Sequence, residues 1–477
     1  MLQISGSARL LVCLAVSTVL LSACAIGPDY KRPDAPGSAG IDHYKNAAQA
    51  DARQGVQMTL AERWWTVFND PILNDLEDQV VVNNQNIAQA AAAYAQARAV
   101  VRQDRSALWP SFGATASATR NGGGISTTTK HTTYALDGTA TWELDLWGKL
   151  RRTLENAKAS SQASAADLAS ARLSAQSELA IAYLQLRGAD AERKMLAGTL
   201  TAYALTLKVT QNRYNAGTAA KTDVLSAQTQ LYSAQDQEQS TLLSRSQLEN
   251  SIAALLGKAA SVFSIAPLED WNLPSPALPA GLPSELLQRR PDVAAAERAM
   301  AAANASIGVQ EAAYFPSLTI TGNYGFTSTA LGTLFDTASV SRSVAGSLSQ
   351  TLLDFGGRKA QLDQARDAYA QSVASYRQTV ITAFQDVEND LAAAGIYAKE
   401  FEILTQDSQA ADLTEKLTLN QYKAGTADMT AVVVAQTAAL SARISLAQMR
   451  VLCQTTAVSL VTDLGGGWQA PDYSHYD

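Results

Sequence analysis

The sequence predicts an α+β membrane chain in which four short alternating strands stand among very long helices, laid out in two halves that repeat one order. Three observations carry this. From Leu136 to Leu146 every even position is apolar or small, while the odd positions are Asp137, Thr139, Thr141, Glu143 and Asp145. That period of two makes a strand with an oily face and a wet, acidic face. Alanine, leucine, glutamine and serine dominate long stretches without proline, none falling between Pro110 and Pro267 or between Pro316 and Pro471, which suits extended helix. Three landmarks recur in order. W-P-S at 109–111 returns as F-P-S at 315–317, D-L-W-G-K at 145–149 as D-F-G-G-R at 354–358, and N-R-Y-N-A-G-T at 212–218 as N-Q-Y-K-A-G-T at 420–426, at offsets of 206, 209 and 208 residues. Repeats this long are two halves of one architecture, not a solenoid.

The elements follow in order. Residues 1–23 carry Arg9 and an apolar run and read as a secretory signal. They end in Leu21-Ser22-Ala23-Cys24, which resembles a bacterial lipobox and implies cleavage before Cys24 and its acylation with palmitate-type chains. An ordinary signal peptide with a chance cysteine is the alternative. Several acyl chains on one residue anchor stably where one is marginal. Ala25 at the next position, by resemblance to sorted lipoproteins, points to the outer membrane. Without Cys13 and Cys24 only Cys453 remains, so no intramolecular disulfide is expected. An extended segment spans 24–60. The first repeat, 61–265, holds a helix at about 72–107, strands 111–121 and 132–146, a long helix 149–213, a tip turn and a return helix 219–256. A linker at 266–283 follows, with five prolines within 267–283. The second repeat, 284–465, holds a helix 284–313, strands 317–328 and 342–354, a long helix 359–422 and a return helix 428–463. A tail, 466–477, closes the chain.

Each strand is near the nine to eleven residues that a tilted membrane strand needs. The even face of the second strand is expected to meet lipid, and Asp137, Glu143 and Asp145 to meet water in a barrel lumen. An amphipathic sheet on a soluble core is the competing reading. Trp109, Trp147, Phe315 and Phe355 all fall where a strand meets a helix, at one end of the strands, as an interfacial aromatic girdle would. Four strands cannot close a barrel, so the chain must oligomerise; two copies give eight strands and three give twelve. At about 1.5 Å per residue, a 65-residue helix spans roughly 100 Å.

Other classes find no footing. The formal charge is −7 and no basic block stands out, so no nucleic-acid partner is expected. His43, His131 and His475 lie far apart in sequence, and neither a zinc pattern nor a nucleophile elbow is present. No metal, cofactor or catalytic residue is assigned, and the chain is not expected to be an enzyme. No run of eighteen apolar residues follows the N-terminal segment.

Cys24-Ala-Ile-Gly-Pro-Asp-Tyr-Lys-Arg-Pro33, W-W-T-V-F-N-D-P at 64–71 and L-L-Q-R-R-P-D-V-A-A-A-E at 286–297 resemble the outer membrane factors of tripartite efflux pumps, in the NodT-type lipoprotein branch related to OprM and TolC. The resemblance covers essentially all of the chain after Cys24. It implies a homotrimer with a twelve-stranded β-barrel in outer membrane lipid, four strands per chain, continued by a long α-helical barrel in the periplasm. It also implies two partners: a periplasmic adaptor, or membrane fusion protein, and an inner-membrane pump of the RND type.

The R-R-P-D motif invites a catalytic reading, but a structural one is preferred: Pro291 suits a first helical turn, Asp292 and Glu297 its positive end, and Arg289 or Arg290 ion pairs. By the resemblance, the two A-G-T turns form the tip that meets the adaptor, with Tyr214, Gly217, Thr218, Tyr422, Gly425 and Thr426 as contact candidates. Ala431 and Val434 stand where aspartates commonly narrow the tip in TolC-like members. Asp223 and Asp428 are the nearest acids and become the periplasmic gate candidates, with helix capping as the competing role. The expected function is an exit duct passing small molecules such as drugs or toxic compounds. The rivals are the duct of a type I protein secretion system and a non-conducting structural lipoprotein of the envelope.

Overall fold

The computed structural model describes residues 25–33, 44–46, 63–121, 131–268 and 289–470. Residues 1–24, with the expected signal segment and Cys24, residues 34–43, 47–62 and 122–130, residues 269–288 of the expected linker and second repeat, and residues 471–477 lie outside the described residues. The chain divides into two compact units, one of residues 1–34, 92–165 and 295–377, the other of 35–91, 166–294 and 378–477.

The first unit holds an antiparallel sheet in the order β1–β2–β3–β4, with β1 Ser111–Asn121, β2 His131–Leu144, β3 Ser317–Ser328 and β4 Val340–Ser349. Two hairpins, one from each half of the chain, are joined by the β2–β3 pairing. Strands 111–121 and 317–328 have their expected bounds. The other two are shorter. β4 stops at Ser349 rather than 354 because its partner begins at Ser317, opposite Ser349, and leaves nothing beyond to pair with. β2 stops at Leu144 rather than 146 because Asp145 turns away to cap a helix.

Register decides the faces, since paired residues point the same way. Phe112, Ala140, Gly322 and Val344 form one row, and Ala116, Leu136, Phe326 and Val340 another. Thr115, Asp137, Gly325 and Ser341 form a row on the opposite face. The even positions of all four strands therefore make one apolar face, and the odd positions one polar face.

The helices are α1 Pro71–Asn83, α2 Gln85–Ser106, α3 Lys149–Asn215, α4 Lys221–Leu255, α5 Pro291–Ala312, α6 Gly357–Ala424 and α7 Met429–Asp463. The expected single helix 72–107 is two. Asn84 is extended (ψ 126°); its Oδ1 accepts the N–H groups of Asn86 and Ile87, and its Nδ2 donates to the Leu255 carbonyl. An asparagine that can cap a new helix and bond elsewhere breaks the old one. At 67 and 68 residues, α3 and α6 match the expected long helices. The W-W-T-V-F-N-D-P stretch is structural. Trp64, Trp65 and Phe68 are buried, Asn69 is left-handed, and Asp70 caps α1 through Ile72 and Leu73 while accepting the Tyr183 hydroxyl.

One expectation needs amending. Although no unbroken apolar run follows the N-terminal segment, α7 contains a stretch of mean hydropathy 1.4, long enough to cross a membrane by length and composition. Val432, Ala439, Ala457, Val458 and Val461 on α7 are buried within the second unit, which accounts for part of that apolar character.

Candidate functional site

The end of the sheet nearest the helices is a built junction. Trp109, Trp147, Phe315 and Phe355 each lie between a strand and a helix, all at this end. The Trp147 and Phe315 rings stack at 4.9 Å, and Trp147 Nε1 donates to the Pro316 carbonyl at 2.8 Å. Trp109 and Phe355 stand exposed, Phe355 at 93 %. Phe355 has φ +50°, a left-handed conformation that costs energy in a non-glycine residue, and Gly356 follows at +95°.

Asp145 is not a lumen-facing strand residue. Its carboxylate accepts the N–H groups of Leu150 and Arg151 at 3.0 Å and pairs with the Arg151 guanidinium. Its repeat counterpart, Asp354, accepts the Arg358 N–H at 3.0 Å and the Arg358 guanidinium at 2.8 Å. Those bonds hold the Asp354 carboxyl below the usual range. The D-L-W-G-K and D-F-G-G-R landmarks are thus helix starts, where a carboxylate offsets the positive end. Asp137 and Glu143 do lie on the polar face of β2. Asp137 reaches over Gly325, where an added Cβ would come within 2.1 Å of its Oδ1. Glu143 faces Lys149 Nζ at 3.6 Å.

The segment 25–33 is strapped to the same unit. Ile26 N–H donates to the Trp147 carbonyl, and Ala25 lies against Gly148. Arg152, buried, donates to the carbonyls of Ile26 and Gly27 and pairs with Asp29 and Glu155. At Gly27 (φ +103°) a Cβ would come within 2.4 Å of the Gly308 Cα, so two glycines let backbone pass backbone. Asn304 donates to the Pro28 carbonyl, and Tyr30 to Glu297.

Both A-G-T turns, in the second unit, are one piece of geometry made twice. Gly217 N–H donates to the Tyr214 carbonyl and Thr218 N–H to the Arg213 carbonyl. Gly425 N–H donates to Tyr422 and Thr426 N–H to Gln421. The glycines have φ +74° and +81°, and each threonine hydroxyl bonds the carbonyl that its own N–H bonds. This is the glycine-terminated helix end, with orphan carbonyls satisfied by the turn. Gly217, Thr218, Gly425 and Thr426 are exposed, and Tyr214 is 39 % exposed. Tyr422 corrects the expectation: it is 2 % exposed and cannot be a contact surface. Its ring lies under Arg213 (4.4 Å), whose Nη1 donates to the Tyr422 carbonyl, while its hydroxyl donates to Thr210.

The acids beyond the turns both cap. Asp428 Oδ1 accepts the Ala431 N–H at 2.7 Å, and Asp223 Oδ2 accepts the Ala220 N–H at 3.3 Å. Arg290 of the R-R-P-D motif makes ion pairs, as its motif suggests: it pairs with Asp292 and, beyond what the motif shows, with Asp463, and faces Asp386 at 3.9 Å. Burial, Asp463 and Asp386 push the nearby Asp390 carboxyl up to about 8. At the loop end of the sheet, Tyr324, Phe326 and Phe335 pack edge to face, at 6.1 and 5.4 Å between successive rings. The alternation could have revealed this second girdle, because Tyr324 and Phe326 are successive even positions.

Such a sheet, oily on one face and polar on the other with aromatics at both ends, is that of an outer membrane channel protein. The family model described as outer membrane efflux protein matches residues 76–258 and 282–466, and the chain belongs to that family. It is 31% identical over 466 residues to the probable efflux pump outer membrane protein TtgC of Pseudomonas putida, covering 96% of each chain. It is 30% identical over 472 residues to the outer membrane protein OprJ of Pseudomonas aeruginosa, covering 97% of this chain and 96% of that one. Its fold matches the outer-membrane channel OprN with a TM-score of 0.85 at 31% identity, over 94% of this chain and 100% of that one. The chain is thus an outer membrane efflux duct.

Proposed function

We propose that this chain works as a lipid-anchored homotrimer, the exit duct of a tripartite efflux pump. In this reading three sheets close a twelve-stranded barrel in the outer membrane and the helices form a barrel in the periplasm. A periplasmic adaptor meets the exposed turn residues, and an inner-membrane pump of the RND type supplies the energy. The chain itself makes and breaks no bond. Its cargo is small organic molecules; a relative named as a toluene efflux pump outer membrane protein supports that class.

The observation that carries the reading is the sheet whose edge strands, β1 and β4, have no further partner among the described residues, together with its continuous apolar face. A membrane barrel tolerates no open edge, so the edges call for further copies. Exposed Ile396, Ile403, Leu413 and Leu417 along α6 offer apolar surface for the same assembly. For the anchor, support comes from Ala25 lying on Gly148 beside the stacked Trp147 and Phe315. Ala25 is thus held beside the proposed interfacial aromatic belt.

Crosslinking of the membrane-extracted protein tests the assembly, and planar-bilayer recording tests conduction. The expected result is a trimer that carries ion current; a monomer, or a trimer that never conducts, sinks the reading. Palmitate labelling tests the anchor, and label remaining on Cys24→Ser protein would refute that site.

A further inference from the structure

The register sorts the charges of the sheet by face. On the polar face the charged strand residues are Asp137 and Glu143, both acids. On the apolar face, among the described residues, they are Arg120 and Arg342, both arginines. Each stands towards the loop end of its own strand. Arg342 is the third residue of β4, and Arg120 the penultimate residue of β1. Towards the helices the apolar face carries Val344, Gly346, Leu348, Ile320 and Leu318, with no charge. Arg342 pairs across the ladder with Tyr324 of the loop-end girdle, and that tyrosine is exposed. Neither guanidinium has a hydrogen-bond or ion-pair partner among the described residues. Beside Arg342, a groove of about 720 Å³ crosses the sheet, lined by Gly138, Ala140, Gly322, Phe112, Val344 and Tyr324 as well as by Arg342.

A guanidinium on a lipid-facing surface is costly at the bilayer midplane and tolerated near the interface. It belongs where it meets phosphate, which it binds with two parallel donors. We infer that Arg342, with Tyr324 and the groove beside it, is a binding site for a phosphorylated lipid of the outer leaflet. The phosphate meets the guanidinium and an acyl chain lies in the groove. Charge complementarity selects the occupant: the cation lines an otherwise uncharged trough. The inference rests on the proposed reading in one respect, that the even face meets lipid and the helices lie on the periplasmic side.

The test uses the full-length protein, purified in detergent, with native mass spectrometry counting bound glycolipid. The probes are a bis-phosphorylated lipid A and the same glycolipid with its phosphates removed. Wild type should retain the phosphorylated probe about tenfold better than the dephosphorylated one. Arg342→Gln should lose most of that preference, Arg342→Lys should keep part of it, and Asp137→Asn, on the other face, should change nothing. Equal retention of both probes by wild type, or an Arg342→Gln variant that keeps the full preference, overturns the inference. A spin label at Val344→Cys in reconstituted bilayers separates this from failure of the underlying reading. A label relaxed by oxygen but not by a water-soluble nickel chelate puts that face in lipid whatever the phosphate result. A label relaxed by the chelate overturns both.

Discussion

The two halves of this chain share an order of elements and a pair of turns with the same hydrogen bonds, yet they differ in what holds them. In the first half, Tyr214 stands partly exposed with Lys221 over its ring at 5.4 Å. In the second, the matching Tyr422 is buried with Met429, Val432 and Ala227. One repeat difference accounts for much of this. Arg213 is long and charged and reaches Tyr422, stacking on its ring and bonding its carbonyl. Gln421 stands at the matching position and has no guanidinium to stack on Tyr214. Landmarks repeated in sequence can therefore serve surface in one half and core in the other.

Truncating the two tyrosines should break the resemblance most sharply. Tyr422→Ala removes a buried aromatic and its hydroxyl bond and should cost about 3–5 kcal/mol locally. Tyr214→Ala should cost about 1 kcal/mol or less. Hydrogen exchange of the amides around both turns is the measurement. Similar loss of protection in the two variants would mean that Tyr422 is no core residue.

In the sheet the halves should behave alike. Ala140 and Val344 share a mid-height row of the apolar face, one from each half. Arginine at either should disfavour insertion by roughly 2–4 kcal/mol, and arginine at Thr139 or Ser343, on the polar face, by much less. Leu144 is a poorer probe, because it ends β2 at the junction. Folding yield in bilayers checks this. Equal losses on both faces would remove the two-faced assignment from both hairpins.

The ionic clusters of the second unit also divide by half. In the first, Asp190 lies between Arg187 and Arg245, and Glu249 also pairs with Arg245, so acids and bases balance. In the second, Arg290 faces Asp292, Asp386 and Asp463, and Asp390 adjoins them. Asp390 is pushed up to about 8 by burial first and then by Asp463 and Asp386. A carboxyl whose folded pKa lies above its unfolded value, about 3.9, stabilises fully below that value. Its contribution is lost as pH rises through about 8. For one proton the slope is at most about 1.4 kcal/mol per pH unit. Thermal stability should therefore fall from pH 5 to 8, and Asp390→Asn should flatten the fall. An unchanged slope in that variant would assign the pH dependence elsewhere; buried Glu77, raised by burial and Asp78, is the next group to substitute.

Much of this was legible because strands and long helices advertise their period. The strand bounds 111–121 and 317–328, both long helices and both glycine turns follow from local pattern. What was not legible depends on distant partners. The alternation runs unbroken through Asp145, but the ladder ends at Leu144 and the carboxylate goes to a helix instead. Asn84 reads as one more polar helical residue until its bond to Leu255 is known. Tyr422 looks like Tyr214 until Arg213, two hundred residues away, is placed beside it. Of the acids around Arg290, Asp292 stands in its own motif, but Asp386 and Asp463 come from α6 and α7 and no local pattern announces them.

The smallest difference between the halves lies in the acids that start the return helices. Asp428 is the N-cap of α7, accepting at 2.7 Å, whereas Ala220 holds that position in α4 and Asp223 only reaches back at 3.3 Å. Asp428→Ala should cost about 1 kcal/mol, and Asp223→Ala a few tenths. Capping leaves room for the proposed gate role, because each carboxylate keeps an oxygen that the cap bond does not use. Under threefold symmetry three copies of each would gather near the axis, and carboxylates in a narrow mouth attract cations. Single-channel current at low salt separates the two roles. If both acids gate, the double variant loses cation preference and opens more. If they only cap, selectivity and conductance stay as in wild type while Asp428→Ala alone loosens the start of α7. The asymmetry then belongs to stability and not to transport.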